Sequence, residues 1–202
     1  MPEPILIYGG STPTGLLGIQ FAKLSGFTVV TTSSMKNIDY VRSTGADFVF
    51  DYSNADECLA NIRNATGGKL RRTWDCVSTA DTAVLCARAL SSEEDSSYSS
   101  LLQISPEVLQ GVNPKVHVAT TIAYTAFGER FEKWGGINEA KPQDYEFAKV
   151  FFEIAGDLLE AGKLKPVRQI VNHGGKGLRG VLEGLGDLKA GKVSAAKLVY
   201  KL

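Results

Sequence analysis

The stretch Ile5-Leu6-Ile7-Tyr8-Gly9-Gly10-Ser11-Thr12-Pro13-Thr14-Gly15-Leu16-Leu17-Gly18 decides the fold of this chain. An uncharged run of β-branched and aliphatic residues suits a parallel strand covered on both faces. The glycines after it let the backbone turn sharply and approach a pyrophosphate with no Cβ in the way. The stretch therefore reads as strand, glycine turn and helix, the entrance to a dinucleotide site. Only Met1-Pro2-Glu3-Pro4 precedes it.

Outward from this stretch the same alternation repeats. Strand patterns recur at 5–9, 28–32, 48–51, 73–77, 98–104 and 116–122. Helical patterns at 15–25, 37–44, 55–66 and 79–90 fill the first four gaps, with Gly26 and Gly45 placed as helix stops. Strands alternating with helices predict an α/β fold, a doubly wound parallel sheet. The serine and acid run at 91–97 has no apolar face and reads as an exposed loop. Beyond Gly128 comes a glycine-rich, charged loop to Pro142. A strong helix over 143–161 then gathers Phe147, Val150, Phe151, Ile154 and Leu158 on one side. A short strand at 167–171, a glycine-rich helix at 176–189 and a last strand at 197–201 complete the chain. These features divide it into a Rossmann domain over 1–161 and an extension of helix and strands over 162–202.

A chain of 202 residues, 44% of them hydrophobic, can bury roughly 70% of its unfolded surface and support one complete core. Lys plus Arg equals Asp plus Glu at 22 each, so no global field favours nucleic acid or an anionic membrane. Small ligands are the expected partners. Cys58, Cys76 and Cys86 form no Cys-x-x-Cys pair and lie in apolar segments, as reduced thiols of a cytoplasmic protein would, with no metal. No apolar run reaches the roughly 18 residues of a membrane span, and no signal peptide is legible at the N-terminus.

The segment from Gly10 to Gly15 could place backbone amides and the hydroxyls of Ser11, Thr12 and Thr14 around a pyrophosphate at the N-terminus of the first helix. Its spacing departs from strict Gly-x-Gly-x-x-Gly, and Gly15 is followed by Leu16 and Leu17, which excludes a mononucleotide P-loop. About 20 residues on, an acidic side chain would hold the ribose 2′-hydroxyl of NAD. Thr31-Thr32-Ser33-Ser34 stands there instead, with Lys36 next. Hydroxyls and an ammonium remove repulsion of a 2′-phosphate and offer donors to it, which predicts NADPH. Tyr52, after the third strand, could complete the pocket. Ser33, Ser34 and Lys36 could equally cap the following helix, and the two roles are compatible.

The motifs Tyr8-Gly9-Gly10-Ser11-Thr12-x-x-Gly15, Ala22-Lys23-Leu24-Ser25-Gly26 and Gly45-Ala46-Asp47-x-Val49-Phe50-Asp51-Tyr52, with Lys197-Leu198-Val199 near the end, resemble the zinc-independent medium-chain dehydrogenase/reductase family. The nearest branch is that of quinone-oxidoreductase-like proteins and trans-acting enoyl reductases. The resemblance implies a six-stranded nucleotide-binding domain and NADPH-dependent hydride transfer to an enoyl, enone or quinone-like substrate. It places the 2′-phosphate at Ser33, Lys36 and Tyr52, and the nicotinamide near Val77, Ser78, Thr121 and Ile122. It also implies a GroES-like substrate domain before the first strand, which leads one to expect cofactor binding without the substrate-binding half. The strands at 167–171 and 197–201 would then pair with each other or with a second copy, and a homodimer through the sheet edge or these strands is a further expectation.

Two other readings stay beside this one: a nucleotide-binding module without catalysis, and a short-chain reductase using Tyr145-x-x-x-Lys149. In the latter a lysine lowers the pKa of a catalytic tyrosine on one helix. No serine completes that set upstream, and the pair comes after the sixth strand, so a structural helix is expected. His117 and His173 are too isolated for a metal site or a nucleophile and base pair. Ser78 and Thr79 could touch the nicotinamide ribose, or Thr79 could cap the next helix. Trp74 and Trp134 read as packing and loop anchor, and Lys69-Leu70-Arg71-Arg72 as a solvated turn.

Overall fold

The computed structural model describes residues 2–120, 122–133 and 135–202. Six strands, β1 (Pro4–Tyr8), β2 (Thr28–Ser33), β3 (Phe48–Asp51), β4 (Arg72–Asp75), β5 (Ser96–Ser100) and β6 (Val116–Thr120), form one parallel sheet in the order β3-β2-β1-β4-β5-β6. The crossovers carry α1 (Pro13–Leu24), α2 (Ile38–Ser43), α3 (Ala55–Thr66), α4 (Ala80–Ala89) and α5 (Pro106–Gln110). The order reverses between β1 and β4, and sheets of this kind bind ligands at the carboxyl edge of that switch point.

The central strands β1 and β2 bury both faces, so alternate residues enter two separate cores. Leu6, Val30 and Tyr98 pack with Leu59 and Ile62 of α3 and with Leu85 and Cys86 of α4. Ile7, Val29 and Val49 pack on the opposite face with Leu16 and Ile19 of α1 and Val41 of α2. Fully burying side chains such as Leu16 and Ile19 contributes roughly 1.5–3 kcal/mol each. Two helical glycines in α1 exist for contact: a Cβ on Gly15 would lie 2.3 Å from the Gly9 carbonyl oxygen, and one on Gly18 would lie 2.7 Å from the Trp74 ring. These contacts fix how closely α1 approaches β1 and β4.

After β6 a 3-10 turn (Ala123–Phe127) leads to the antiparallel pair β7 (Phe131–Lys133) and β8 (Gly136–Asn138), then to α6 (Pro142–Glu160). The extension forms β9 (Gln169–Val171), α7 (Gly177–Lys189) and β10 (Lys197–Val199). β9 and β10 pair with each other in parallel, Ile170 opposite Leu198.

Three expectations need correction. The fifth strand lies over Ser96–Ser100, not 98–104, and takes its first two residues from the serine run expected as loop. Register decides this: Ser97 pairs with Arg72 and His117, which sets Tyr98 fully buried between the neighbouring strands. The short strands β7 and β8 lie in the stretch expected as a charged loop, and α5 lies between the fifth and sixth strands, where no element was expected. The apolar side of α6 is mostly not core: Phe147, Val150 and Ile154 are exposed, while Ala155 is buried and Phe151 is partly covered through its ring contact with Phe21 at 5.1 Å. Thr121 and Trp134 lie outside the described residues.

Candidate functional site

The turn after β1 is held from inside the protein. Gly9 has φ +83, which a side chain would strain, and its amide donates to Thr32 Oγ1 at 3.0 Å. The Gly10 amide donates to the Thr32 carbonyl at 2.9 Å. Thr12 is the N-cap of α1: its hydroxyl donates to the Gly9 carbonyl at 2.8 Å and accepts from the Gly15 amide at 2.9 Å. Of the predicted residues, Gly10, Thr12 and Gly15 therefore shape the turn and have their polar groups engaged. Ser11 and Thr14 remain, each with an amide and a hydroxyl that make no hydrogen bond among the described residues. Both groups stand at the start of a helix, where the macrodipole favours an anion.

At the ends of β2 and β3 the register sets Ser33 opposite Asp51, and Ser34 and Tyr52 are the next residues along each chain. Ser33 is fully buried and donates to the Ser34 carbonyl at 3.2 Å, which places its hydroxyl beneath the rim. Ser34 is the N-cap of a 3-10 turn (Met35–Asn37), but its side chain makes no capping bond. Lys36 and Tyr52 are exposed, and among the described residues the Lys36 ammonium meets no carboxylate. Asn37, unnoticed in the sequence, is buried here and donates from Nδ2 to Ser34 Oγ at 3.2 Å and to Ser194 Oγ at 2.7 Å. A Ser-x-x-Asn spacing was the available signal for the first contact. Nothing in the sequence pointed to the second, which spans 157 positions.

Beyond β4 the chain turns through Val77 and Ser78. A Cβ on Gly9 would come within 2.7 Å of a Val77 methyl, so the turns after β1 and β4 are in contact. Ser78 adopts φ +61 while buried, a conformation that L side chains rarely hold. Asp75 enforces it. Its fully buried carboxylate accepts from the amides of Val77 and Ser78, both at 2.9 Å, from Thr82 Oγ1 at 2.6 Å and from the Tyr98 hydroxyl at 2.9 Å. Burial, with Asp75 adding to it, drives the Tyr98 hydroxyl well above its ordinary pKa, so it stays a donor. The Ser78 hydroxyl donates to the Asp75 carbonyl at 3.0 Å and accepts from the Leu101 amide at 3.1 Å, tying this turn to the end of β5. Thr79 caps α4 through a reciprocal bond with Thr82. Ile122 lines a cavity of about 380 Å³ between the 3-10 turn after β6 and the Phe147, Phe151 and Phe152 side of α6.

Other candidates fall outside this arrangement. Lys149 pairs with Glu146 at 2.6 Å and sits 4.9 Å above the Tyr145 ring; neither Tyr145 nor Lys149 lines the cavity. His173 pairs with Asp187 at 2.8 Å, and Arg71 and Arg72 pair with Glu94 and Glu3. A cavity of about 470 Å³ lies at the C-terminal ends of α1 and α2, opposite the carboxyl edge of the sheet. Burial pushes the Cys76 thiol up to about 12 and the Cys58 thiol up to about 11, which leaves neither a nucleophile at neutral pH. Among the described residues no group of three His, Cys, Asp or Glu is placed to hold a metal ion, and the donors present do not fit zinc. No described helix is long and apolar enough to cross a membrane.

A sheet reversing at β1/β4, a glycine turn into a capped helix and hydroxyl-lined strand ends define a Rossmann-type nucleotide-binding unit. Residues 13–124 match the family described as zinc-binding dehydrogenase. The chain is 37% identical over 203 residues to a trans-enoyl reductase of Aspergillus sclerotiorum, covering 99% of this chain and 55% of that protein. It is 42% identical over 191 residues to a dual trans-enoyl reductase/FAD-dependent monooxygenase of Aspergillus terreus, covering 94% of this chain and 26% of that one. The crystal structure of a quinone oxidoreductase from Pseudomonas syringae superposes with a TM-score of 0.71 at 19% identity, over 98% of this chain and 57% of that one. This chain belongs to the zinc-binding dehydrogenase family, as the nucleotide-binding portion of a medium-chain dehydrogenase/reductase, and the family implies a nicotinamide cofactor. It spans about half the length of the trans-enoyl reductases it matches.

Proposed function

We propose that this chain holds NADPH for an oxidoreductase that reduces an enoyl, enone or quinone-like substrate. The observation that carries the cofactor assignment is the end of β2. No acid stands there; Ser34 and Lys36 follow β2, Tyr52 follows the neighbouring β3, and the Lys36 ammonium meets no carboxylate among the described residues. An ammonium and hydroxyl donors favour a phosphate dianion over a neutral 2′-hydroxyl.

The residues fit the rest of the cofactor as well. Ser11 and Thr14 offer amides and hydroxyls to the pyrophosphate at the N-terminus of α1, in a turn kept tight because Gly10 packs on Thr31 and Gly15 on Gly9. The turn at Val77 and Ser78, with Ile122 after β6, would line the nicotinamide end. Bound there, the cofactor supplies hydride, and the protein supplies binding, orientation and exclusion of water. The substrate class rests on the relatives, which are named as enoyl reductases and a quinone oxidoreductase.

Calorimetric titration of the 202-residue chain with NADPH and NADH tests this reading. Binding of NADPH at least tenfold tighter than NADH is expected, from roughly 1.4 kcal/mol or more of charge-assisted bonding to the phosphate. Lys36→Ala should weaken NADPH more than NADH. Equal losses for the two nucleotides, or no binding of either at millimolar concentration, would overturn the assignment. An assay of NADPH oxidation with an enone then reads whether the chain turns over by itself, and binding without turnover would favour a module that only holds the cofactor.

A further inference from the structure

Resting on the NADPH reading, we infer that Asn37 is a positioning residue that makes the ribose end of the site phosphate-selective, by fastening the C-terminal segment at Ser194 and leaving two serine hydroxyl hydrogens to donate. Asn37 is 7% exposed and sits where the 3-10 turn enters α2. Its amide nitrogen donates both hydrogens, one to Ser34 Oγ at 3.2 Å and one to Ser194 Oγ at 2.7 Å.

An amide NH2 has two hydrogens to give and no lone pair to take, so each hydroxyl that meets it must accept. Each serine then keeps its own hydrogen for another partner, and neither finds an acceptor among the described residues. Two O–H donors, with Lys36 in the 3-10 turn that follows Ser34, suit an oxygen that only accepts, as in a phosphate dianion. A ribose hydroxyl, which also donates, gains less from them.

The same bonds place the C-terminal segment over the phosphate turn. Residues 193–198 and Leu188 face Ser11, Thr12 and Pro13 across a cavity of about 320 Å³. Ala195 within that segment holds φ +52 while buried, a conformation kept only when surrounding contacts impose it. Lys197 and Leu198 are tied independently through β9, so loss of the Asn37 bonds should release residues 193–196 without unfolding the extension.

Asn37→Leu, close in volume but without donors, and Ser194→Ala test this in the full chain. Both should weaken NADPH roughly tenfold and NADH less than about twofold by calorimetry, the loss of a charge-assisted donor being felt only by the phosphate. Amide hydrogen exchange at 193–196 should accelerate in Asn37→Leu before any nucleotide is added. Unaltered exchange there, or a wild-type NADPH to NADH ratio in either variant, overturns the inference. If Asn37→Leu fails to fold by circular dichroism, Ser194→Ala alone carries the test of the ratio. Failure of the unaltered chain to bind NADPH overturns the parent reading instead, while the exchange measurement still judges the clasp.

Discussion

Asp75 shows how one residue can hold a turn without touching a ligand. Its carboxylate receives four neutral donors, and two of them are the amides that force Ser78 to φ +61. An Asp75→Asn change would keep the shape but aim an NH2 at donors already facing it. Leaving buried donors unmatched costs about 1–3 kcal/mol each, more toward a charged partner, so a loss of about 3 kcal/mol is expected from the urea midpoint at unaltered m. A loss below about 1 kcal/mol would mean that the turn keeps its conformation without Asp75. Ser78→Gly separates strain from bonding: it relieves the left-handed residue but deprives the Leu101 amide of its acceptor, and net destabilisation is expected. At this scale the sequence revealed identities more readily than partners. The glycine turn and the missing acid after β2 were legible because they are local. Asp75 and Asn37 were not, because their partners Tyr98 and Ser194 are brought near only by the finished fold.

Among the elements, α1 and α6 differ in how much of their burial could be read from periodicity. In α1 the apolar positions Leu16, Ile19 and Ala22 recur at three-residue spacing and all are buried. In α6 the apolar residues spread from Phe147 to Leu159 over a wide arc, and a wide arc does not say which part finds a partner. Phe147 and Phe152 are 71% and 68% exposed, whereas Phe151 packs against Phe21. Exchanging both exposed rings, Phe147→Gln with Phe152→Gln, should therefore leave the urea midpoint within about 0.5 kcal/mol of wild type, as surface substitutions do. Phe151→Ala should cost about 1–3 kcal/mol, less than full burial would give because its ring is only partly covered. Similar losses for the two variants would show that the outer side of α6 is packed as well. The carboxyl ends of the strands were placed within two residues for β1, β2 and β3, whose pattern stops at a glycine, a serine pair or an acid. β5 was displaced because Ser96 and Ser97 have no strand propensity of their own and are held by their neighbours on both sides.

For the molecule as a whole, alternation of strand and helix was enough to give the doubly wound topology, since parallel strands require crossovers and crossovers cover both faces. That double covering also sets how the protein responds to alkali. Cys58, Cys76 and Cys86 all lie within the two cores, and burial is the largest cause raising each thiol above its ordinary 9.0, to about 11 for Cys58 and about 12 for Cys76. The folded state keeps these protons after the unfolded chain has released them, so between pH 9 and 11 the native form binds more protons and stability must fall as pH rises. Each thiol can withdraw at most about 2–3 kcal/mol over that interval, at 1.36 kcal/mol per pH unit. Tyr8 and Tyr98, also pushed up chiefly by burial, act in the same direction but only above their ordinary 10.0. Urea midpoints compared at pH 8 and pH 10 therefore isolate mainly the thiols, and a decline of up to about 4 kcal/mol is expected, about 1.4 kcal/mol from each of the three. In Cys58→Ala/Cys76→Ala the decline should shrink while stability at pH 8 falls by the cavity cost, about 1 kcal/mol per site. A double variant with the full wild-type decline would place its origin in other groups, Cys86, Tyr8 and Tyr98 of the core or exposed charges, and not in Cys58 and Cys76. Salt distinguishes the exposed charges, because exposed pairs weaken at 1 M ionic strength, where the Debye length is about 3 Å, and buried groups do not.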